Sequence, residues 1–69
     1  MSKIMMALEL LRDGKWHQTE ELMLSLNLDK DKIRELTSFF NAYNLAKVDG
    51  KNGRVRINSD LKKLLTRIT

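Results

Sequence analysis

The stretch Leu26-Asn27-Leu28-Asp29 separates two helical patterns and decides how the rest of the chain can fold. Asn27 tolerates the left-handed backbone conformation with which helices commonly end. Asp29 can accept a hydrogen bond from a backbone N–H in the first turn of the following helix. Leu28 is the apolar residue of this turn, and we expect it to fill the core. These four residues therefore predict two helices joined by a tight turn.

The helices on either side of this turn follow from capping residues and apolar spacing. Before the turn, Thr19 is expected to cap a helix that runs to about Leu26. After the turn, a helix is predicted over residues 30–43, with Asn44 ending it in the left-handed conformation. The expected core face of this helix has the 3, 4, 3 spacing of apolar positions: Ile33, Leu36, Phe40 and Tyr43.

The N-terminal part of the chain predicts one more helix. Ser2 is expected to cap it, the helix covers residues 3–12, and Gly14 suits the left-handed position after its end. Met6 and Leu10 lie nearly opposite the main apolar stripe of this helix. They are expected either to pack on the last helix or to form the seam of a homodimer through the terminal helices.

Residues 15–18 are too few for a helix and predict a single extended segment. Trp16 is expected to cover an edge of the core, although its ring could also stack on a base or a partner. His17 is the single histidine of the chain. It has no second histidine or cysteine with which to share a metal ion, so no metal site is expected.

Two segments with β-branched residues flank a turn that contains two glycines, a pattern that predicts a hairpin. The predicted strands are residues 45–48 and 54–57. Alternation directs one set of side chains to the core: Ala46, Val48, Val55 and Ile57. The other set faces solvent or a partner: Lys47, Arg54 and Arg56. A last helix over residues 60–68, capped by Ser59 or Asn58, follows. Its apolar face is predicted to contain Leu61, Leu64, Leu65 and Ile68.

The 69 residues are enough for one domain, 1–69, and the net charge is +4. This charge is unevenly distributed along the chain. Residues 1–29 carry three basic and five acidic side chains, whereas residues 30–69 carry ten basic and four acidic ones. The basic second half indicates a surface that meets a polyanion.

Several classes of function are not expected from this composition. The absence of cysteine excludes disulfides and cysteine-based zinc sites, and it fits a reducing cytoplasm. No apolar run approaches the ~20 residues of a membrane span, and no signal-peptide pattern is present. One histidine and no phosphate-binding glycine loop leave little material for catalysis. We therefore expect a cytoplasmic protein that is not an enzyme and needs no cofactor or membrane.

The predicted elements and several short motifs resemble the winged helix-turn-helix family. These motifs are residues 15–22 (KWHQTEEL), 26–29 (LNLD), 33–36 (IREL) and 39–45 (FFNAYNL). Asn27 and Asn44 stand where many members carry glycine, and Asp29 stands where they carry a serine cap. The resemblance covers nearly the whole chain and is closest to small archaeal-type and bacterial-type transcriptional regulators. It implies an α+β, mostly helical fold with a three-helix bundle, a two-stranded β-wing and a C-terminal helix.

The resemblance also implies a double-stranded DNA-binding protein that regulates transcription. The helix over 30–43 would enter the major groove, and the hairpin over 46–57 would contact the backbone as the wing. The candidate DNA-binding residues are Lys30, Arg34, Ser38 and Asn41 on the helix, and Lys47, Lys51, Arg54 and Arg56 on the wing. Asp31 and Glu35 share the helix arc and repel phosphates, so the wing is expected to supply more of the affinity. The alternatives for these two carboxylates are to accept from cytosine or to pair at helical spacing with a basic residue, Lys30, Lys32 or Arg34. The alternative to DNA binding is a winged-helix protein–protein interaction module in a larger complex.

Overall fold

A computed structural model of the chain describes residues 2–68 without the side chain of Ile68, whose predicted packing therefore lies outside the described residues. The elements are α1 (Lys3–Leu10), β1 (His17–Gln18), α2 (Thr19–Leu26), α3 (Lys30–Ala42), β2 (Ala46–Asp49), β3 (Arg54–Ile57) and α4 (Ser59–Ile68). Within the described part of the chain, the fold is α+β and mostly helical. Four helices pack around a three-stranded antiparallel sheet.

The turn between α2 and α3 has the predicted geometry. Asn27 ends α2 in the left-handed conformation with φ of 55°. Leu28 is half-buried against the core, and its N–H donates to the carbonyl of Met23 over 2.9 Å. The carboxylate of Asp29 accepts a hydrogen bond from the N–H of Lys32 at 2.8 Å, which caps α3. These contacts satisfy backbone groups that would otherwise be unpaired at the two helix ends.

The other predicted helix ends divide into confirmed and corrected cases. Ser2 caps α1, and Asn44 has the left-handed φ of 56°. Of the two candidates for the cap of α4, Asn58 is the one whose side chain accepts from the N–H of Asp60, at 2.8 Å. The prediction for Thr19 is wrong, because Thr19 is the first residue of α2 and Gln18 occupies the cap position without a side-chain hydrogen bond.

Thr19 instead attaches α2 to the hairpin formed by β2 and β3, residues 46–57. Both its N–H and its Oγ1 donate to the carbonyl of Gly53, at 2.8 and 3.2 Å. Thr19 is already the first helical residue, so its hydroxyl does not occupy the position from which a side chain caps α2. The start of α2 is therefore held by a long-range contact that local capping patterns do not describe.

The sheet has the order β1-β3-β2. In the hairpin, Lys47 lies opposite Arg56 and Val48 lies opposite Val55. The predicted extended segment adds a third strand, because His17 pairs with Val55 on the other edge of β3. The two-stranded arrangement expected from the sequence is thus extended to three strands, which leaves β3 in the centre.

The core is apolar and draws on the helices and the sheet. Its buried residues are Ala7, Leu8, Leu11, Leu22, Leu26, Ile33, Leu36, Phe40, Ala46, Val55 and Ile57. Tyr43 was predicted to belong to it but is 67% exposed, because α3 ends at Ala42 and the backbone leaves the helical path there. Leu64 is also exposed, so Leu61 and Leu65 provide the packed face of α4.

Met6 and Leu10 are half-buried at the edge of this core. They line a shallow groove together with Ser25 and Leu26 of α2. None of the helices within residues 2–68 is both long and hydrophobic enough to cross a lipid bilayer.

Candidate nucleic-acid interface

The exposed side of α3 carries the polar residues that the sequence assigned to it. Burial of Ile33, Leu36 and Phe40 turns the opposite arc to solvent. The exposed residues of this arc are Lys30, Asp31, Arg34, Glu35, Ser38 and Asn41. The 3.6-residue period of the helix is sufficient for this separation of faces.

The charges on this arc are only partly balanced. The carboxylate of Glu35 lies 3.6 Å from the Nζ of Lys32, and both side chains are largely exposed. Within the described residues, Lys30 and Arg34 form no ion pair with an acidic side chain. Asp31 is exposed in the first turn, where the helix dipole favours a negative charge. Two cations on this arc therefore remain available to an anionic partner.

A groove separates α3 from the hairpin and has a volume of about 530 Å³. Lys30 and Arg34 line it from α3, Glu20 lines it from α2, and Gly50 and Gly53 line it from the hairpin. A smaller hollow of about 180 Å³ lies between α3 and β2. It is lined by Thr37, Ser38, Asn41 and Val48. The four predicted α3 residues thus all line hollows on the hairpin side of the helix.

Thr37 lines both hollows and was not among the predicted site residues. It follows Arg34 by three positions and Lys30 by seven, so helical periodicity places the three residues on one side of α3. Its Oγ1 donates to the carbonyl of Ile33 at 3.0 Å. The spacing alone was enough to identify it.

The tip of the hairpin is organised by Asp49. Its carboxylate accepts from the N–H of Asn52 at 3.3 Å and from the Nδ2 of Asn52 at 2.8 Å. It also accepts from the Nε of Arg54 at 3.0 Å. These hydrogen bonds, from Asn52 first and then Arg54, lower the pKa of Asp49. Lys51 lies exposed in the same turn, beside Gly50.

Arg54 is held by an aromatic ring as well as by a carboxylate. Its guanidinium carbon lies 4.5 Å from the centroid of the Trp16 ring. Trp16 is 38% exposed, so it forms a platform for Arg54 at the surface and does not close an edge of the core as predicted. The charge of Arg54 is therefore already matched within the chain, unlike that of Lys51.

The predicted wing cations do not all lie on the side of α3. Alternation directs Val48 and Val55 inward, so Lys47, Arg54 and Arg56 point to the outer face of the sheet. Arg56 lines a separate groove against α4. Seven of the eight predicted residues consequently form two sets. One set, Lys30, Arg34, Ser38 and Asn41, lines the hollows beside α3, and the other, Lys47, Arg54 and Arg56, lies on the outer face of the sheet. Lys51 is exposed in the turn next to Gly50, which lines the larger of these hollows.

His17 lies between two carboxylates. Its Nε2 is 2.9 Å from Asp13 Oδ1, and its Nδ1 is 2.9 Å from Glu21 Oε2. Burial lowers the pKa of His17, but the hydrogen bonds to Asp13 and Glu21 outweigh burial and raise it. His17 thus joins the turn after α1 to the first turn of α2. Among residues 2–68, no group of three or more His, Cys, Asp or Glu side chains has an arrangement that could hold a metal ion.

Comparisons with known proteins give no match for this chain, whether to a protein-family model, a curated protein or a solved structure. The arrangement of α2, α3 and the hairpin is therefore the observation from which a function can be inferred.

Proposed function

We propose that the chain is a winged helix-turn-helix domain that binds double-stranded DNA and regulates transcription. The observation that carries this proposal is the position of Lys30, Arg34, Ser38 and Asn41. They lie exposed on one side of α3, which follows a tight turn and lies beside a hairpin. An α-helix fits the major groove of B-form DNA, and helices of this motif present their N-terminal half to base edges.

Within this proposal, Arg34 reads a base. Its guanidinium carries two parallel donors that match the two acceptors on the major-groove edge of guanine. Lys30, one turn earlier, contacts a phosphate or base near the start of α3. Ser38 and Asn41 lie further along the helix, where a short polar side chain can reach a base or a phosphate. The pairing of Glu35 with Lys32 reduces the repulsion that Glu35 would exert on DNA.

The hairpin positions the domain and does not read sequence. Lys51 is the cation at its tip and contacts the phosphate backbone. Arg54 contributes less than its charge suggests, because Asp49 and Trp16 already hold it. If Lys30 and Lys51 each neutralise one phosphate while Arg34 reads a base, the logarithm of affinity falls with the logarithm of salt concentration at a slope of roughly −2.

The direct test is a fluorescence-anisotropy titration of labelled duplexes, both random and selected, over a range of salt concentrations. We expect Arg34→Ala to weaken binding by about ten-fold or more on the selected duplex and to change the preferred bases. Lys51→Ala should weaken binding to all duplexes alike and reduce the salt slope by about 1. Lys15→Ala removes the same charge from the turn before β1 and serves as the control. Unchanged affinity in both Arg34→Ala and Lys51→Ala would overturn the proposal.

A second candidate function is a protein–protein interaction module. The exposed apolar side chains Leu24, Tyr43 and Leu64 favour it, with exposed fractions of 85%, 67% and 52%.

A homodimer through Met6 and Leu10 is the related proposal, since both line a shallow groove at the edge of the core. Sedimentation at micromolar concentration tests the dimer, and a monomer mass would contradict it. Absence of duplex binding at low salt, together with a defined protein partner, would favour the second candidate over DNA binding.

A further inference from the structure

A second concave surface lies between the outer face of the sheet and α4. It encloses a volume of about 680 Å³, larger than the groove beside α3. Its polar lining consists mainly of Arg56 from β3 and Lys62, Lys63 and Arg67 from α4, with Ser59 and Gly14 at its margins. The function proposed above uses none of these residues, although Arg56 was one of the wing cations expected from the sequence.

The geometry of the two elements explains why four cations converge here. Arg56 lies between the inward-facing Val55 and Ile57 on β3, so it points outward. Lys63 and Arg67 are four residues apart and share one side of α4, with Lys62 next to them. The strand and the helix thus direct their basic side chains into one hollow.

Within the part of the chain that the structure describes, no carboxylate balances the positive charge in this groove. No acidic residue among residues 2–68 lines it, and Asp60 is the one acidic residue of α4. Asp13 is nearby, but it offers Lys62 its backbone carbonyl, 3.4 Å from the Nζ. The carboxylate of Asp13 is occupied by His17. Within the described residues, Arg56, Lys62, Lys63 and Arg67 form no ion pair, so an anion would relieve their mutual repulsion.

Gly14 shapes one end of the groove. A Cβ atom at this position would lie 2.7 Å from the Nζ of Lys62, and the φ of +78° disfavours any side chain. The glycine therefore leaves the space in which Lys62 lies over the turn that precedes β1. At this end the Nζ of Lys62 donates to the carbonyl of Asp13, and Arg56, Lys63 and Arg67 also line the groove, together with Ile57 and Thr66.

We propose that this groove binds a small ligand that carries two or more phosphate groups, such as a nucleoside polyphosphate. Arginine offers paired donors to phosphate oxygens, and lysine offers a compact positive charge. The volume lies within the range of sites for small ligands, about 300–1,000 Å³. A nucleic-acid backbone repeats its charge along a line, whereas these cations come from two elements around one hollow. The groove lies on the outer face of the sheet, away from α3, so the ligand and a duplex bound by α3 occupy different surfaces.

The first test is a titration of the full chain with inorganic tripolyphosphate. Amide NMR chemical shifts and calorimetry measure the binding. The titration contains no DNA, so its outcome is independent of the function proposed for α3. We expect saturable shifts at the amides of Arg56, Ser59, Lys63 and Arg67, and none at Arg34. Sulfate at equal ionic strength should bind far more weakly, because a single divalent anion cannot contact all four cations. Absence of saturable binding, or shifts centred on α3, overturns the proposal.

The second test uses matched charge removals. The double variant Lys63→Gln with Arg67→Gln should bind tripolyphosphate at least about ten-fold more weakly, since each lost charged hydrogen bond is worth about that factor or more. The double variant Lys30→Gln with Arg34→Gln removes the same charge from α3 and should stay within about two-fold of the parent. Circular dichroism verifies that both variants are folded.

Two outcomes of this comparison count against the proposal. An equal loss in both double variants indicates attraction by net charge and no defined site. A loss of duplex binding in the α4 variant, with tripolyphosphate binding unchanged, assigns the groove to a nucleic-acid backbone. Competition between a nucleoside triphosphate and tripolyphosphate then distinguishes a nucleotide from an inorganic polyphosphate as the source of the phosphates.

Discussion

The two faces of the sheet are made of alternate residues in the same short strands, yet they differ in how their side chains are satisfied. On the inner face, Val55 and Ile57 are 0% and 2% exposed, and they belong to one continuous core. On the outer face, Lys47, Arg54 and Arg56 share a charge but have three different surroundings. Apolar side chains need only a common direction to be buried together, whereas charged side chains each need a specific partner.

This difference limits what an inventory of charges can say about binding. Arg54 is held by Asp49 and Trp16, Arg56 lines the groove against α4, and Lys47 is exposed. All three have the same alternation and would count equally in a sum of positive charge. A cation that is already paired gains less from a phosphate than one that has no partner. The structure therefore shifts the expected DNA contacts from Arg54 towards Lys51 at the tip of the hairpin.

The largest expected effect is the difference in stability between a substitution on the inner face of the sheet and one on the outer face. Ile57→Ala on the inner face should lower the free energy of unfolding by roughly 2–5 kcal/mol, because it removes buried methylene groups and leaves a cavity. Arg56→Ala, the preceding residue on the outer face, should change it by no more than about 0.5 kcal/mol. Urea unfolding followed by circular dichroism measures both values. Similar losses in the two variants would show that the outer face also contributes to the core.

A smaller effect is expected at the turn that joins the two strands. Gly53 has φ of +59° and accepts two hydrogen bonds from Thr19 through its carbonyl. Gly53→Ala should therefore lower the free energy of unfolding by about 1–2 kcal/mol, because a residue that has a Cβ is strained in the left-handed conformation. Gly50→Ala is the matched control, since a Cβ there meets nothing within 4 Å and the φ is not positive. Its effect should be near zero or slightly stabilising, and thermal unfolding of the pair distinguishes the two outcomes.

The fold was predictable from the sequence wherever local chemistry decides it. Asn27, Asp29 and Asn44 end or begin helices through their own backbone and side-chain geometry, so their positions in the sequence were sufficient. Thr19 and Tyr43 were assigned wrongly because their environments are decided at a distance. Thr19 bonds to the hairpin, 34 residues away, and Tyr43 follows the last helical residue of α3.

The candidate site divides in a similar way. The exposed arc of α3 followed from helical period alone, and Lys30 and Arg34 lie on it. Thr37 follows from the same period, but it lies next to the buried Leu36 at the margin of the exposed arc and was not predicted as a site residue. The ion pair of Arg54 with Asp49 and its stacking on Trp16 could not be predicted. They depend on the pairing of β1 with β3, which brings Trp16 to the outer face beside Arg54.

The stacking of Arg54 on Trp16 should contribute about 0.5–1 kcal/mol to the free energy of unfolding, as expected for a cation over an exposed ring. Trp16→Leu, Arg54→Met and the double variant form a cycle that isolates the coupling between the two side chains. The matched cycle replaces Arg54→Met with Lys47→Met, which removes the same charge from the same face but from β2, on the far side of β3 from Trp16, and should show coupling near zero. Urea unfolding followed by circular dichroism gives each value. Equal coupling in the two cycles would mean that Arg54 is not specifically paired with Trp16.

On the inner face of the sheet, His17 is the one described residue that is not apolar. Its replacement should have the smallest effect on stability, and this effect should depend on pH. His17 lies opposite Val55 in the sheet, and two partly exposed carboxylates surround its ring. Ion pairs with partly exposed partners contribute little to stability. The pKa of His17 is raised above its ordinary value of 6.5, so its contribution is complete below about pH 6.5 and is lost as pH rises through the folded-state pKa. The hydrogen bond from His17 and the N–H of Lys15 lower the pKa of Asp13 below 3.8, so the contribution of Asp13 is present above that value and is lost as pH falls through its folded-state pKa.

The two directions define a window between about pH 4 and pH 6.5 in which the contact of His17 with Asp13 and Glu21 is strongest. We expect His17→Gln to lower the melting temperature more at about pH 5.5 than at about pH 8.5. Gln18→Ala alters the neighbouring outward residue of the same strand, and its effect should not depend on pH. A melting-temperature difference between His17→Gln and the parent that is equal at both pH values would show that the ring contributes by packing alone. In that case His17 would stabilise the fold by packing, as Val55 does, although its side chain is ionisable. The whole inner face of the sheet would then act as an apolar packing surface.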